Sequence, residues 1–198
     1  TGLKDENRSV ADVPPQHKLI GHGREDDVLI DTVRTRLRPW RDNDRAAFTA
    51  MHADPEVMWD HHDGPLSPAE SVAKLARYKA AYDQLGFCRW ALEDREGVFL
   101  GYVGVMPSRL GHPLGDHYEI GWRLTRRAWG FGYATEAARA ALADIFSRSL
   151  APEVLSYTAP DNLRSRAVMV RLNLERDPSR DFISDAWRGL VWVARPDG

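Results

Sequence analysis

The chain has 198 residues, enough for one domain with a full core. Hydrophobic residues make up 43% and charged residues 28%, which excludes a largely disordered chain. Lys and Arg total 27 against 29 Asp and Glu, so the basic excess of a nucleic-acid binder is missing. A single cysteine, Cys88, excludes an internal disulfide and a cysteine-rich metal site. The longest apolar run, Val98 to Met106, is too short to cross a bilayer, and no charged-then-apolar leader opens the sequence. The expectation is a soluble, cytoplasmic chain with neither a nucleic-acid nor a membrane partner.

Residues 1–31 hold 4 basic and 7 acidic side chains, with Pro14-Pro15, Gly21 and Gly23 and no sustained period. They read as an N-terminal extension, mobile or draped over a domain that occupies residues 32–198. Val33, Thr35 and Leu37 alternate with Arg34, Arg36 and Arg38, the pattern of a half-buried strand that Pro39 ends. Asp42 offers an N-cap for a helix to about Ala53 with Phe48 and Met51 inward. Ser67-Pro68-Ala69-Glu70 is a capping box with proline at the first helical position, opening a helix that Gly86 stops. Strands follow at Phe87–Glu93 and Val98–Met106 around the turn Asp94–Gly97, then at His117–Leu124. An alanine-rich helix covers Tyr133–Ser149, a strand Val154–Ala159, a helix Asn162–Leu172 and a closing strand Leu190–Ala194, with one more strand near Leu174. Antiparallel neighbours early and strand–helix–strand units late imply a mixed sheet with helices on both faces, an α/β (α+β) fold.

The chemistry-bearing stretch runs from Glu119 to Ala137: a strand, a loop with Gly130 and Gly132, and a helix N-terminus. Two glycines let successive backbone N–H groups face one concavity, and the helix adds the positive end of its dipole. Arg126 and Arg127 add charge at the rim, so the stretch reads as a phosphate or pyrophosphate cradle. No Walker run is present, and Thr135 stands where a Rossmann fingerprint needs glycine or alanine. An ordinary strand-to-helix turn is the competing reading.

With these residues in place, the chain resembles the GNAT superfamily of acyl-CoA-dependent N-acyltransferases, and within it the RimJ/RimL-like branch. Arg127, Gly130 and Gly132 match the superfamily's acyl-CoA loop, Gln/Arg-x-x-Gly-x-Gly/Ala. The branch flavour lies in Glu119-Ile120-Gly121, Trp129 and Tyr133-Ala134-Thr135-Glu136-Ala137, in the opening Thr32 to Trp40, and in Asn162-Leu163-Arg164-Ser165. The match spans about residues 32–176. It implies a mostly antiparallel sheet of six to seven strands flanked by about four helices. It also implies that acetyl-CoA is the acyl donor, with the pantetheine arm along Trp122, Arg123 and Leu124. The pyrophosphate would lie on backbone from Arg127 through Ala128, Trp129, Gly130, Phe131, Gly132, Tyr133 and Ala134. Asn162 would hold the pantetheine amide, Ser165 would lie near the thioester sulfur, and Arg164 would meet a phosphate.

The implied reaction is direct acetyl transfer to a primary amine, either a protein N-terminus or a small molecule. An amine attacking a thioester must lose a proton, and the leaving thiolate needs a hydrogen bond. Glu119 is the candidate base, its pKa raised toward neutrality by burial; the competing reading is a structural pair with an arginine. Ser165 is the candidate donor to the thiolate, or a helix hydroxyl bonded back to a carbonyl. Met169 stands where many family members carry a tyrosine acid, and Asn173 where they carry glycine. Trp59, in the loop with His61, His62 and Asp63, is the candidate acceptor contact, whereas that loop lacks the ligand spacing of a metal site. Cys88 and Trp90 read as core. Dimers are common in the family. The alternative function is a non-catalytic acyl-CoA-binding sensor or regulatory module.

Overall fold

The computed structural model describes residues 28–61, 64–184 and 187–196. In chain order the elements are β1 (Ile30–Asp31), β2 (Thr35–Arg38), α1 (Asp44–Ala53), α2 (Pro68–Leu85), β3 (Arg89–Asp94), β4 (Phe99–Pro107) and β5 (Tyr118–Leu124). There follow α3 (Tyr133–Ser147), β6 (Val154–Thr158), α4 (Leu163–Arg171), β7 (Glu175–Arg176), β8 (Phe182–Ser184) and β9 (Trp187–Ala194). The sheet runs β1-β2-β3-β4-β5-β6-β9-β7, with β8 on β9, and among the described residues only β5 and β6 pair in parallel. Among the described residues the mostly antiparallel sheet is present as expected and counts nine strands, two of which, β1 and β8, are too short to show a period. Ile30 and Asp31, read as the end of the extension, belong to this sheet. Residues 1–27 of the extension lie outside the described residues.

The helix boundaries follow local chemistry. Ser67 and Glu70 close the capping box of α2, and Gly86 ends it at φ 72°. Asn43 replaces Asp42 as the N-cap of α1, and its side chain makes no capping bond. Asp44 instead takes the Arg41 N–H on its carboxylate, 2.7 Å away. Asn173 adopts the left-handed conformation, φ 59°, that the family's glycine would.

In β2, Thr35 and Leu37 are buried as the alternation requires, but Val33 is 87% exposed because the strand starts two residues later. Arg38 breaks the alternation and is buried. Its guanidinium forks onto Asp44 at 2.7 and 2.8 Å and reaches Glu93 at 2.6 Å, tying β2 to α1 and β3. The core packs α1 and α2 through Phe48 and Tyr78 against Tyr102 of β4, and lays α3 over β2, β4 and β5. Trp90 and Cys88 are buried in it, and burial pushes the Cys88 thiol well up, as suits an inert core residue.

Candidate active site

The site begins where two strands part. β5 and β6 share a single register pair, Glu119 with Leu155, and Ser156 adds one hydrogen bond to the Ile120 carbonyl at 3.2 Å. Beyond that vertex Gly121–Leu124 pair only with β4, so the edge of β5 toward β6 is open. An unpaired strand edge is a template for an extended ligand with amides of its own. The opening widens into a cleft of about 1100 Å³, lined by Trp122, Arg123 and Leu124, the loop Ala128–Gly132, the first turn of α3 and α4.

Gly130 and Gly132 stand at φ 83° and 81°, conformations an L side chain avoids, and the chain turns there from a 3-10 turn (Arg126–Ala128) into α3. Gly132 is the N-cap of α3, so the first-turn N–H groups face the cleft with no side chain capping them. The loop is pinned from the side. Glu136 accepts from Thr32 Oγ1 at 2.6 Å, from Arg34 N at 2.8 Å and from Arg34 Nε at 2.7 Å, while Arg34 Nη1 donates to the Phe131 carbonyl at 2.8 Å. Arg164 lies 4.3 Å over the Trp129 ring at the rim.

Of the residues proposed for the coenzyme, Trp122, Arg123, Leu124, Ala128 to Ala134, Asn162 and Ser165 all line this one cleft, as does Trp59. Arg127 does not. Its Nη2 donates to the Phe99 carbonyl at 2.6 Å and braces the loop from behind. Asn162 caps α4, accepting from Ser165 N at 3.0 Å, and donates to Asp60 at 2.9 Å. Asp60 also takes Arg123 at 2.9 Å. Asp60 thus couples the 54–61 loop to both cleft walls, a role with no signature in the sequence. The Ser165 hydroxyl accepts from Trp122 Nε1 at 3.2 Å and does not bond back to the helix, so its proton is available to the cleft.

Glu119 sits at the vertex itself, its side chain 22% exposed, and does not line the cleft. Arg89 donates to one carboxylate oxygen and the Tyr157 hydroxyl to the other. Burial pushes the carboxyl up, but Arg89 and Tyr157 outweigh it and hold Glu119 below the ordinary carboxylate range. The expected rise toward neutrality is therefore reversed: the pairing with an arginine, read as the competing possibility, is present. Each carboxylate oxygen keeps a second lone pair. Arg89 reaches Glu119 across Gly121, where an added Cβ would stand 2.2 Å from its Nη1. Gly121→Ala is expected to displace Arg89 and release Glu119 from its pair. Cross-peaks of the Arg89 guanidinium in NMR spectra would shift if it does and hold if it does not.

Among the described residues no group of three or more His, Cys, Asp or Glu is arranged to hold a metal ion; His62 and Asp63 lie outside them. No described helix is long and apolar enough to cross a membrane.

Among the described residues the sheet splits at its parallel pair, and a glycine-turned helix N-terminus stands at the far end of the split, so the cleft offers an extended ligand an open strand edge and an anion-binding turn. Comparison with known proteins gives the family. The profile of the family described as Acetyltransferase (GNAT) domain matches residues 34–175, and the chain belongs to this family of acetyl-CoA-dependent acetyltransferases. The uncharacterized protein YkkB of Bacillus subtilis is 32% identical over 146 residues, covering 72% of this chain and 83% of its own. The crystal structure of an acetyltransferase from Agrobacterium tumefaciens superposes with a TM-score of 0.74 at 25% identity, covering 92% of this chain and all of that one. RimL, a ribosomal L7/L12 alpha-N-protein acetyltransferase solved in complex with coenzyme A, has a TM-score of 0.66 at 12% identity, covering 85% and 98%. At 12% identity the likeness to RimL is one of fold.

Proposed function

We propose that this chain transfers the acetyl group of acetyl-CoA directly to a primary amine, of a protein N-terminus or a small molecule. The open edge of β5 above the α3 N-terminus carries the reading. The pantetheine amides would pair with Trp122–Leu124, the pyrophosphate would sit on the N–H groups between Ala128 and Ala134, and Arg34 and Arg164 stand at the rim to meet phosphate charge. The thioester would then lie near the vertex. Holding two reactants in line supplies much of such a rate. Glu119 would take the amine's proton, and Ser165 would donate to the departing thiolate sulfur.

Glu119 is held as an anion, so it is a weak base toward a free ammonium and a better one after attack, when the new C–N bond makes that nitrogen acidic. The second reading, an acyl-CoA-binding sensor, is favoured by two observations: Met169 is buried where a tyrosine acid would stand, and Glu119 already has partners.

Thermal shift and thiol release separate the readings. Coenzyme A at about 100 times its Kd is expected to add about 2.7 kcal/mol to the folded state and raise Tm. Gly130→Val, which forces a β-branched residue to φ 83°, should weaken that shift. An unchanged Tm with coenzyme A would end the proposal; a shift without thiol release from any amine would leave the sensor.

A further inference from the structure

Beside the cleft lies a cluster of cations that the coenzyme does not explain, and of these Arg123 also lines the cleft. On the sheet face carrying Glu119, register places Arg89 of β3, Tyr102 of β4 and Arg123 of β5 together, and α2 lies over Tyr102 through Tyr78. From α2, Lys74 reaches to 6.0 Å above the Tyr102 ring, and Arg77, one turn on, lies 5.7 Å from the Tyr78 ring. Four cations therefore gather around Tyr78 and Tyr102, and two carboxylates, Glu119 and Asp60, pair with two of them. Arg89 is paired with Glu119 and Arg123 with Asp60, whereas Lys74 and Arg77 form no ion pair among the described residues. The Nε atoms of Arg77, Arg89 and Arg123 are buried without an acceptor. The nearby histidine offers no negative charge and no compensation: burial depresses His52 to about 3, leaving it neutral.

Unpaired cations under a helix are costly, because burial favours their neutral forms and like charges repel. Burial and the neighbouring cations lower Lys74, and burial lowers Arg77. Tyr102 feels the same field: burial alone would raise its phenol, yet Lys74, Arg123 and Arg89 pull it below the usual range. An anion delivered by a ligand would complete this arrangement. Arg77 feels the charge of Glu119, which puts such an anion on the side where the amine would be placed.

We infer that the acceptor is a small aminocarboxylate of the α-amino-acid type, its carboxylate taken by Lys74 and Arg77 on α2 while its nitrogen lies between Glu119 and the thioester. The inference rests on the proposed acetyl transfer and narrows its acceptor. One zwitterion then satisfies both signs: its carboxylate answers the cation surplus, and its nitrogen uses the lone pairs left on Glu119.

The test measures thiol release from acetyl-CoA with matched acceptors: alanine, serine and glutamate, each beside its α-amide, with spermidine and a neutral peptide bearing a free N-terminal serine as controls. The free amino acid is expected to exceed its amide in kcat/KM by about tenfold or more, the value of one charge-assisted contact. Lys74→Gln and Arg77→Gln should raise KM for the amino acid, leave the amide unaffected and leave coenzyme A affinity unchanged. Three results overturn the inference and spare the acetyltransferase reading: equal rates for acid and amide, turnover confined to spermidine or the peptide, or variants that slow acid and amide alike. Failure of coenzyme A to bind, or of every amine to release thiol, overturns both.

Discussion

Arg38→Ala is expected to cost about 3–5 kcal/mol, the penalty for breaking a buried pair by removing one partner. The side chains of Arg38 and its two partners are only 5–6% exposed, so neither Asp44 nor Glu93 can turn to water when the guanidinium goes. Both carboxylates would remain near each other with no countercharge. For a domain of this size the loss corresponds to a fall in Tm of about 10 °C, readable by differential scanning calorimetry. Arg36→Ala is the control on the same strand. Its exposed pair with Asp31 is of the kind that contributes little, and its Tm should stay near that of the parent. A similar Tm for both variants would show that the triad is worth no more than a surface pair.

Arg38 also marks where the sequence stops being readable. The alternation of Val33, Thr35 and Leu37 places a strand, and that strand exists; but period 2 assigns every arginine to solvent, and one of three is buried. Burial of a charge depends on partners brought from elsewhere, here from α1 and β3, and no local pattern encodes them. The α2 boundaries were legible because a capping box and a terminal glycine act within a few residues of themselves. β1 and β8 were not, since two or three residues carry no period and their pairing is tertiary.

The site divides along the same line. The glycine turn before α3 is local chemistry, so Gly130 and Gly132 could be read as a cradle, and the cleft gathers them with Trp122, Asn162 and Ser165. What surrounds Glu119 is long-range. Arg89 and Tyr157 come from β3 and β6, and they reverse the expected direction of its pKa. Asp60 and the Arg34–Glu136 clamp are further cases of partners far apart in the chain.

Glu119→Gln is expected to reduce kcat/KM by about 10²–10⁴, the usual value of a positioned base, while coenzyme A affinity persists because Glu119 does not line the cleft. Glutamine keeps the shape and one acceptor, so what is removed is charge. Stability should fall too, since Arg89 would lose its counterion. Tyr157→Phe separates the two effects: it removes a hydrogen bond to Glu119 and leaves the Arg89 pair in place. The pH dependence has a definite sign. A carboxyl lowered on folding contributes stability that is complete above its unfolded value near 4.5 and is lost as pH falls through the folded one. Glu119 should therefore give kcat/KM no inflection between about pH 5 and 8, where a base raised to neutrality would give one. Full turnover by Glu119→Gln would make the carboxylate a counterion for Arg89 alone, with the amine losing its proton to solvent; an inflection of kcat near neutrality that disappears in the variant would show that substrate binding breaks the Arg89 pair and frees the base.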